Sequence, residues 1–195
     1  MTAKLTRDDL WSLEQYAEMR NDFRADVMEH KKSRQVAIGP NATLYFEDRM
    51  VMQYQVQEML RIERIFEKGA IQEELDAYNP LIPDGSNWKA TFMLEFPDVE
   101  QRKHELAKLL GIEKKVWVQV GDLDRVSPIA NEDLERETEE KTSSVHFLRF
   151  ELTGEMVAAA KSGAAISMGI DHDGYKYAVE PVAENIRKSL VEDLD

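Results

Sequence analysis

The alternation of apolar and polar residues from Trp88 to Phe96 constrains the fold more than any other feature of this sequence. Trp88, Ala90, Phe92, Leu94 and Phe96 occupy every second position. A period of two residues is typical of a β-strand that buries one face and exposes the other. The segment therefore predicts a strand in a sheet that packs one face on a hydrophobic core.

The elements predicted after this strand follow a known order. Capping residues and helical spacing indicate helices, and further alternation indicates strands. They are a helix from Asp98 to Gly111, strands over 116–120 and 145–152, a helix from Thr153 to Lys161, strands over 166–170 and 175–179, and a last helix with Pro181 in its first turn. This order is that of the ferredoxin-like, or split βαβ, fold. We expect an α+β protein with a mainly antiparallel, ferredoxin-like sheet.

The first eighty residues are predicted to be helical, with one β-hairpin. The predicted elements are helices from Thr6 to about His30, from Asp48 to about Phe66 and over 70–78, and a hairpin over 35–46. Two prolines, a glycine and a serine in 80–87 are typical of a connection between lobes. We expect a single domain over 1–195, with a helical lobe at 1–80 packed on an α+β lobe at 87–195.

Composition excludes several kinds of site. The 195-residue chain has no cysteine, which excludes iron–sulfur clusters, thiolate zinc sites and thiol nucleophiles. The longest apolar run is 156–160 and the first twenty residues lack the apolar core of a signal peptide, so we expect a cytoplasmic protein. With 38 acidic and 25 basic residues, the net charge is −13, which disfavours binding to nucleic acids and anionic membranes.

Short clusters of charge are typical of solvated surface. We interpret Lys31-Lys32-Ser33-Arg34 and Arg102-Lys103 as solvated helix ends. The stretch 132–140 carries six acids and one base. It predicts a solvated loop or short helix, with a cation-binding or partner-binding loop as the alternative.

Polar residues in the helix predicted over 48–66 need an explanation. The apolar face of this helix is formed by Val51, Met52, Val56, Met59, Ile62 and Phe66. Gln55 falls in the middle of that face, and Glu58 and Glu63 flank it. Burying an unpaired amide-like group costs about 2–7 kcal/mol, so these groups need partners such as Arg61. Three interpretations stay open: a hydrogen-bond and ion-pair network that docks the first two helices, a ligand pocket lined by these residues, or a carboxylate metal site.

Recognised cofactor motifs are absent from the sequence. It has neither the Glu-x-x-His pairs of di-iron bundles nor the His-Glu-x-x-His zinc motif. Glycine-rich phosphate-binding motifs and the Gly-x-Ser-x-Gly nucleophile motif are absent as well. We therefore predict no metal and no organic cofactor.

Four residues outside the helices are further candidates for ligand contact. His146 shares a strand face with apolar residues, where it is either a core histidine or a ligand contact. Arg149 lies on the opposite face, where it can pair with Glu151 or bind an anion. His172 and Tyr175 belong to a hairpin tip that also carries two aspartates. A histidine flanked by carboxylates can act as a base, although turn chemistry alone also explains an Asp-Gly pair.

Several segments resemble a bacterial family known as a domain of unknown function, DUF3501. The most specific block is Gln55–Arg61 with Glu63–Ile65, and one departure is Asp173, which stands where the family has proline. The other similar segments are Leu5–Leu10, Phe46–Arg49, Ile71–Leu75 with Tyr78-Asn79, Leu81–Pro83, Phe147–Phe150 and Asp171–Tyr175.

The resemblance implies no established activity. Members of the family are encoded near rubrerythrin and iron–sulfur oxidoreductase subunits, which implies an accessory role in redox or peroxide metabolism. One hypothesis is therefore a non-catalytic partner of a redox protein, with a homodimer expected from the long first helix. The alternative is a small-molecule-binding protein or enzyme that uses the polar residues of the helix over 48–66, with His146 and Arg149.

Overall fold

The computed structural model of the protein describes residues 3–132 and 141–195. Within these ranges the chain has an α+β fold with six α-helices and eight β-strands. In chain order they are α1 (Leu13–Lys31), β1 (Gln35–Ala37), β2 (Ala42–Phe46), α2 (Arg49–Glu63), α3 (Lys68–Tyr78), β3 (Asn87–Leu94), α4 (Val99–Lys108), β4 (Val116–Val120), β5 (Ile129–Ala130), β6 (Val145–Glu151), α5 (Gly154–Lys161), β7 (Ile166–His172), β8 (Tyr175–Val179) and α6 (Glu184–Val191).

Predicted capping residues begin three of the helices. Asp48, Asp98 and Thr153 precede α2, α4 and α5. Each side-chain oxygen accepts a hydrogen bond from the backbone N–H three residues further along the chain. These bonds satisfy N–H groups that have no partner within the first helical turn, which explains why the helices start at these positions.

Three predicted helix boundaries are wrong. The capping box of Thr6 and Asp9 closes a single 3-10 turn, and α1 begins only at Leu13. Helix α2 ends before Arg64, whose backbone is left-handed with a φ of 55°. Pro181 lies outside the last helix, which begins three residues later.

The strands form two antiparallel sheets rather than one. The first has the order β1-β2-β3-β6-β5 and the second the order β4-β7-β8. The predicted α+β class with antiparallel sheets is confirmed, but the ferredoxin-like strand order is wrong. In that order β7 would pair with β3 and β4 with β6. Here the hairpin strand β2 occupies the free edge of β3 and the short β5 occupies that of β6, so β4 and β7 pair with each other.

One hydrophobic core lies between the two sheets. It contains the alternate residues of β3 and β6 that sequence periodicity assigns to one face, together with the apolar residues of β4 and β7. Strands β4 and β7 are in close contact where Gly169 lies against the indole ring of Trp117. A Cβ atom at Gly169 would lie 2.3 Å from a ring carbon, so only glycine fits there without movement. The face of the five-stranded sheet that points away from this core is called the outer face below.

The N-terminal helices have a second, smaller core. It centres on Val56, Leu60 and Leu75, with Leu5 and Ile82 from the flanking segments. Within the described ranges, no helix is both long and apolar enough to cross a membrane.

Arg34 joins three parts of the fold, although the sequence predicted it as a solvated helix end. Its side chain is only 2% exposed. The guanidinium donates to the backbone oxygens of Phe46 and Glu47 at 3.1 and 3.0 Å, to that of Ser189 at 3.1 Å, and to the Asp193 carboxylate at 2.5 Å. It therefore ties the hairpin to the C-terminal end of α6.

Replacing Asp193 with asparagine is expected to change how stability depends on pH. Burial raises the pKa of Asp193 to about 6, against the opposing pull of Arg34. A carboxyl group whose pKa is higher in the folded state stabilises the fold at low pH and loses that contribution as pH rises from about 4 to about 6. Asp193→Asn should therefore lose less stability than the unmodified protein as the pH rises from about 4 to about 7. Urea unfolding at both pH values checks this, and an unchanged pH profile would contradict it.

Candidate functional site

A cavity of about 700 Å³ lies between the helical section and the outer face of the five-stranded sheet. The end of α3 and the segment after it provide one wall, with Tyr78 and Leu81. The sheet provides the floor, with Phe147. Pro80 and Leu81 belong to the segment that the sequence predicted as a connection.

Two cations lie side by side on the floor of this cavity. Lys89 on β3 and Arg149 on β6 are directly paired across neighbouring antiparallel strands, and both line the cavity with Lys4. Side chains at such positions lie about 4.5–5.5 Å apart at their Cβ atoms, and like charges placed there destabilise a sheet. Burial chiefly, and the nearby Arg149 to a lesser degree, lower the pKa of Lys89. Three of the four charged residues that line the cavity are basic, in a chain whose net charge is −13.

Lys89 is held by backbone oxygens rather than by an acid. Its ammonium group donates to the carbonyl oxygens of Pro80 and Ile82 at 2.7 and 2.9 Å. Partial burial is the largest cause that lowers the pKa of Lys89, and Asp84 opposes it. An ammonium group has three donors, so one N–H remains for a ligand within the part of the chain that the structure describes.

Arg149 is paired with two acids at the edge of the cavity. Its Nε and one terminal nitrogen donate to the two oxygens of Glu132 at 2.8 and 2.7 Å, and its other terminal nitrogen bonds to Glu151. These bonds raise the pKa of Arg149 and lower that of Glu132. Arg149 is therefore charged and oriented, with one edge of its guanidinium group occupied by a carboxylate.

Comparison with known proteins identifies the family. A family model described as protein of unknown function (DUF3501) matches residues 4–194. The chain belongs to the DUF3501 family. A crystal structure of a protein of unknown function from Burkholderia pseudomallei is similar to this chain at 50% sequence identity and a TM-score of 0.92, over 99% of this chain and 100% of the other. No curated protein matches it.

Of the eight site residues predicted from the sequence, only Arg149 lines the large cavity of this DUF3501 protein. Sequence reasoning missed Lys4, Tyr78, Lys89, Glu132 and Phe147. The alternation along β3 placed Lys89 on the outer face, and alternation along β6 placed Arg149 there too. Only the register between the two strands brings these cations together, and that register was not predicted.

The polar residues of α2 lie elsewhere, and Glu58 is bonded mainly to side chains of α1. Glu58 accepts hydrogen bonds from the hydroxyl of Tyr16 at 2.7 Å, from Arg20 at 2.7 and 2.9 Å, and from Arg61 at 3.2 Å. Chiefly because of Arg20, the pKa of Glu58 falls to about 2. Glu63 is exposed. The geometry is that of a network that docks α1 on α2.

Replacing Glu58 with glutamine is expected to lower the free energy of unfolding by about 2–3 kcal/mol near neutral pH. A carboxyl group with a depressed pKa stabilises the fold above its ordinary pKa and loses that contribution as pH falls towards its folded value of about 2. The Glu58→Gln protein should therefore lose less stability on acidification than the unmodified protein. Chemical unfolding from neutral pH to about pH 3 measures this, and parallel profiles for the two proteins would be the contradicting result.

The buried amide of α2 is Gln57, not Gln55. Gln57 is fully buried, and its side-chain oxygen accepts a hydrogen bond from the backbone N–H of Trp11 at 2.7 Å. Gln55 is only partly buried, and Ile62 and Phe66, which the sequence assigned to the apolar face, are exposed. The buried face of α2 is rotated from the predicted one because the side chain of Gln57 points inward. There it bonds the backbone of Trp11, in the segment that leads into α1.

His146 is buried in the core and bonded through both ring nitrogens. Nδ1 lies 3.0 Å from the side-chain nitrogen of Asn131, and Nε2 lies 2.9 Å from the hydroxyl of Thr142 and 3.0 Å from the carbonyl oxygen of Ser143. These contacts link β6 to Asn131 on one side and to Thr142 and Ser143 on the other side of residues 133–140, which lie outside the described ranges. The role of His146 is therefore structural.

The hairpin tip with His172 and Tyr175 also has structural contacts. A ring nitrogen of His172 lies 3.0 Å from the carbonyl oxygen of Leu110. The hydroxyl of Tyr175 donates to the carbonyl oxygen of Ile38 at 2.8 Å and accepts from the N–H of Asn41 at 2.9 Å. Both residues thereby tie the three-stranded sheet to neighbouring elements.

Metal binding was one of the interpretations of the acidic residues. Within 3–132 and 141–195, no three or more histidine, aspartate or glutamate side chains are grouped so that they could hold a metal ion. Most of the acidic stretch 132–140 lies outside these ranges, so the prediction of a solvated or partner-binding loop there stays a prediction.

Proposed function

We propose that this DUF3501 protein binds a small organic anion in the cavity on the outer face. The observation that supports this most is the direct pairing of Lys89 and Arg149 on the cavity floor. An anion beside Lys89 would give that cation the opposite charge that Glu132 and Glu151 already give Arg149.

The size and the walls of the cavity suit an organic ligand. Its volume of about 700 Å³ lies within the range of small-molecule sites. Tyr78, Leu81 and Phe147 supply apolar surface next to the cations. Such sites combine mostly apolar walls with a few polar groups that orient the ligand.

Thermal unfolding with matched acid and amide compounds tests this proposal. Cinnamate and benzoate should raise the unfolding temperature in a concentration-dependent way, because a ligand that binds only the folded state stabilises it. Cinnamamide and benzamide, which have the same rings without the charge, should have much smaller effects. Equal shifts for the acids and the amides, or no shift at high concentration, would refute the proposal.

The accessory role implied by the family resemblance is a second proposal. The exposed side chains of Ile62 and Phe66, at 62% and 63% exposure, offer apolar surface that a partner protein could cover. The proposed partner is a rubrerythrin or an iron–sulfur oxidoreductase in the bacterial cytoplasm, and a homodimer is the proposed assembly. Co-purification at native expression levels and light scattering test these two points, and recovery of a monomeric protein alone would refute both.

A further inference from the structure

We infer that the ligand of the outer-face cavity is a carboxylate that binds Arg149 in exchange for Glu132. This inference rests on the proposed function and names the chemical class of ligand at the same site. It assigns Glu132 the role of an internal competitor, which occupies the binding edge of Arg149 until a ligand carboxylate replaces it.

The contact between Glu132 and Arg149 shows which shape of anion this edge accepts. The Nε and a terminal nitrogen of Arg149 donate to separate oxygens of one carboxylate, at 2.8 and 2.7 Å. This fork geometry fits a planar group with two oxygens. Glu151 holds the remaining terminal nitrogen, so the guanidinium group stays oriented when Glu132 leaves.

Glu132 is suited to leave because its side chain is half exposed. Its side chain is 50% accessible and that of Arg149 is 26% accessible. Exposed ion pairs contribute little to stability, since water solvates both groups when the pair opens. A ligand carboxylate that gains further contacts in the cavity can therefore replace Glu132 at small cost.

Lys89 and the aromatic residues supply those further contacts. Two donors of the Lys89 ammonium are used by backbone oxygens, and Lys89 lies opposite Arg149 across the strand pair. Arg149 chiefly, and Lys89 to a lesser degree, lower the pKa of Glu132, so a carboxylate held at the same edge of Arg149 would also lie near the Lys89 cation. The rings of Tyr78 and Phe147 line the same cavity and can contact an apolar or aromatic tail. Glu132 has no such tail, and this difference favours the ligand.

Calorimetric titration of the full chain with cinnamate tests the exchange. Glu132→Gln should bind cinnamate about fivefold more tightly than the unmodified protein, because a neutral amide competes less well for Arg149. The matched control is Glu100→Gln on α4, which removes an exposed acid paired with Lys103 at 2.8 Å, far along the chain from the site. This control should bind cinnamate with unchanged affinity.

The outcomes separate this inference from the proposed function. Equal affinity of the unmodified protein and Glu132→Gln for cinnamate, together with weaker binding by Lys89→Met, would overturn the exchange and leave the anion site intact. Binding of inorganic phosphate but not cinnamate would overturn the carboxylate class alone. No binding of either probe to any of these proteins would overturn the exchange and the proposed function together.

Discussion

Replacing Arg34 with methionine is expected to lower the free energy of unfolding by about 3–5 kcal/mol. The guanidinium group is buried and bonded to backbone oxygens on the hairpin and on α6. Methionine fills much of the same space but donates no hydrogen bond. The carbonyl oxygens and the carboxylate of Asp193 would then remain buried without a donor, which is the costly way to break a buried ion pair.

Part of the stability lost in Arg34→Met is expected to come from Asp193. Burial already favours the protonated form of Asp193, whose pKa is about 6. In Arg34→Met this carboxyl group loses its cation, so its pKa should rise further. Combining Arg34→Met with Asp193→Asn should restore part of the lost stability near neutral pH, because it removes the unpaired charge.

Urea unfolding followed by far-ultraviolet circular dichroism measures both effects. Arg24→Met is the matched control, because Arg24 lies on the exposed side of α1. Its free energy of unfolding should change by no more than about 0.5 kcal/mol. Equal stability of Arg34→Met and Arg24→Met would show that Arg34 does not tie the hairpin to the last helix.

Replacing Lys89 with methionine is expected to weaken the binding of cinnamate at least tenfold, or by about 1.4 kcal/mol. The change removes the positive charge of Lys89, which bonds no acidic side chain within the described residues. It leaves the apolar part of the side chain in place. Lys89→Arg keeps the positive charge and should retain most of the affinity. Together the two variants separate loss of charge from loss of shape.

Isothermal calorimetry on folded variants gives the affinities. Lys115→Met, which removes an exposed lysine before β4, is the matched control and should bind as the unmodified protein does. Circular dichroism and thermal unfolding establish that each variant is folded. If Lys89→Met binds cinnamate as tightly as Lys115→Met does, the outer-face cavity is not the binding site.

Local features of the fold could be predicted from the sequence, because short-range chemistry determines them. Asp48, Asp98 and Thr153 begin helices through bonds to residues three positions away. The division into two sheets could not be predicted in this way. It depends on which strands compete for the edges of β3 and β6, and those partners are distant in the chain.

The same limit applies to charged residues. Arg34 belongs to a short basic cluster that looks solvated in sequence, and only contacts with residues 189 and 193 show that it is buried. Arg149 was a candidate because strand alternation put it opposite the core. Its neighbour Lys89 required the strand register, and Tyr78 required the position of the end of α3 across the cavity from the sheet.

A crystal structure of the protein grown with saturating cinnamate tests the central claim most directly. We predict electron density for the ligand in the cavity between α3 and the sheet, with its carboxylate beside Lys89 and Arg149 and its ring between Tyr78 and Phe147. The side chain of Glu132 should have turned away from Arg149. An empty cavity at a concentration that saturates the protein in solution, or cinnamate bound at another surface, would contradict the account.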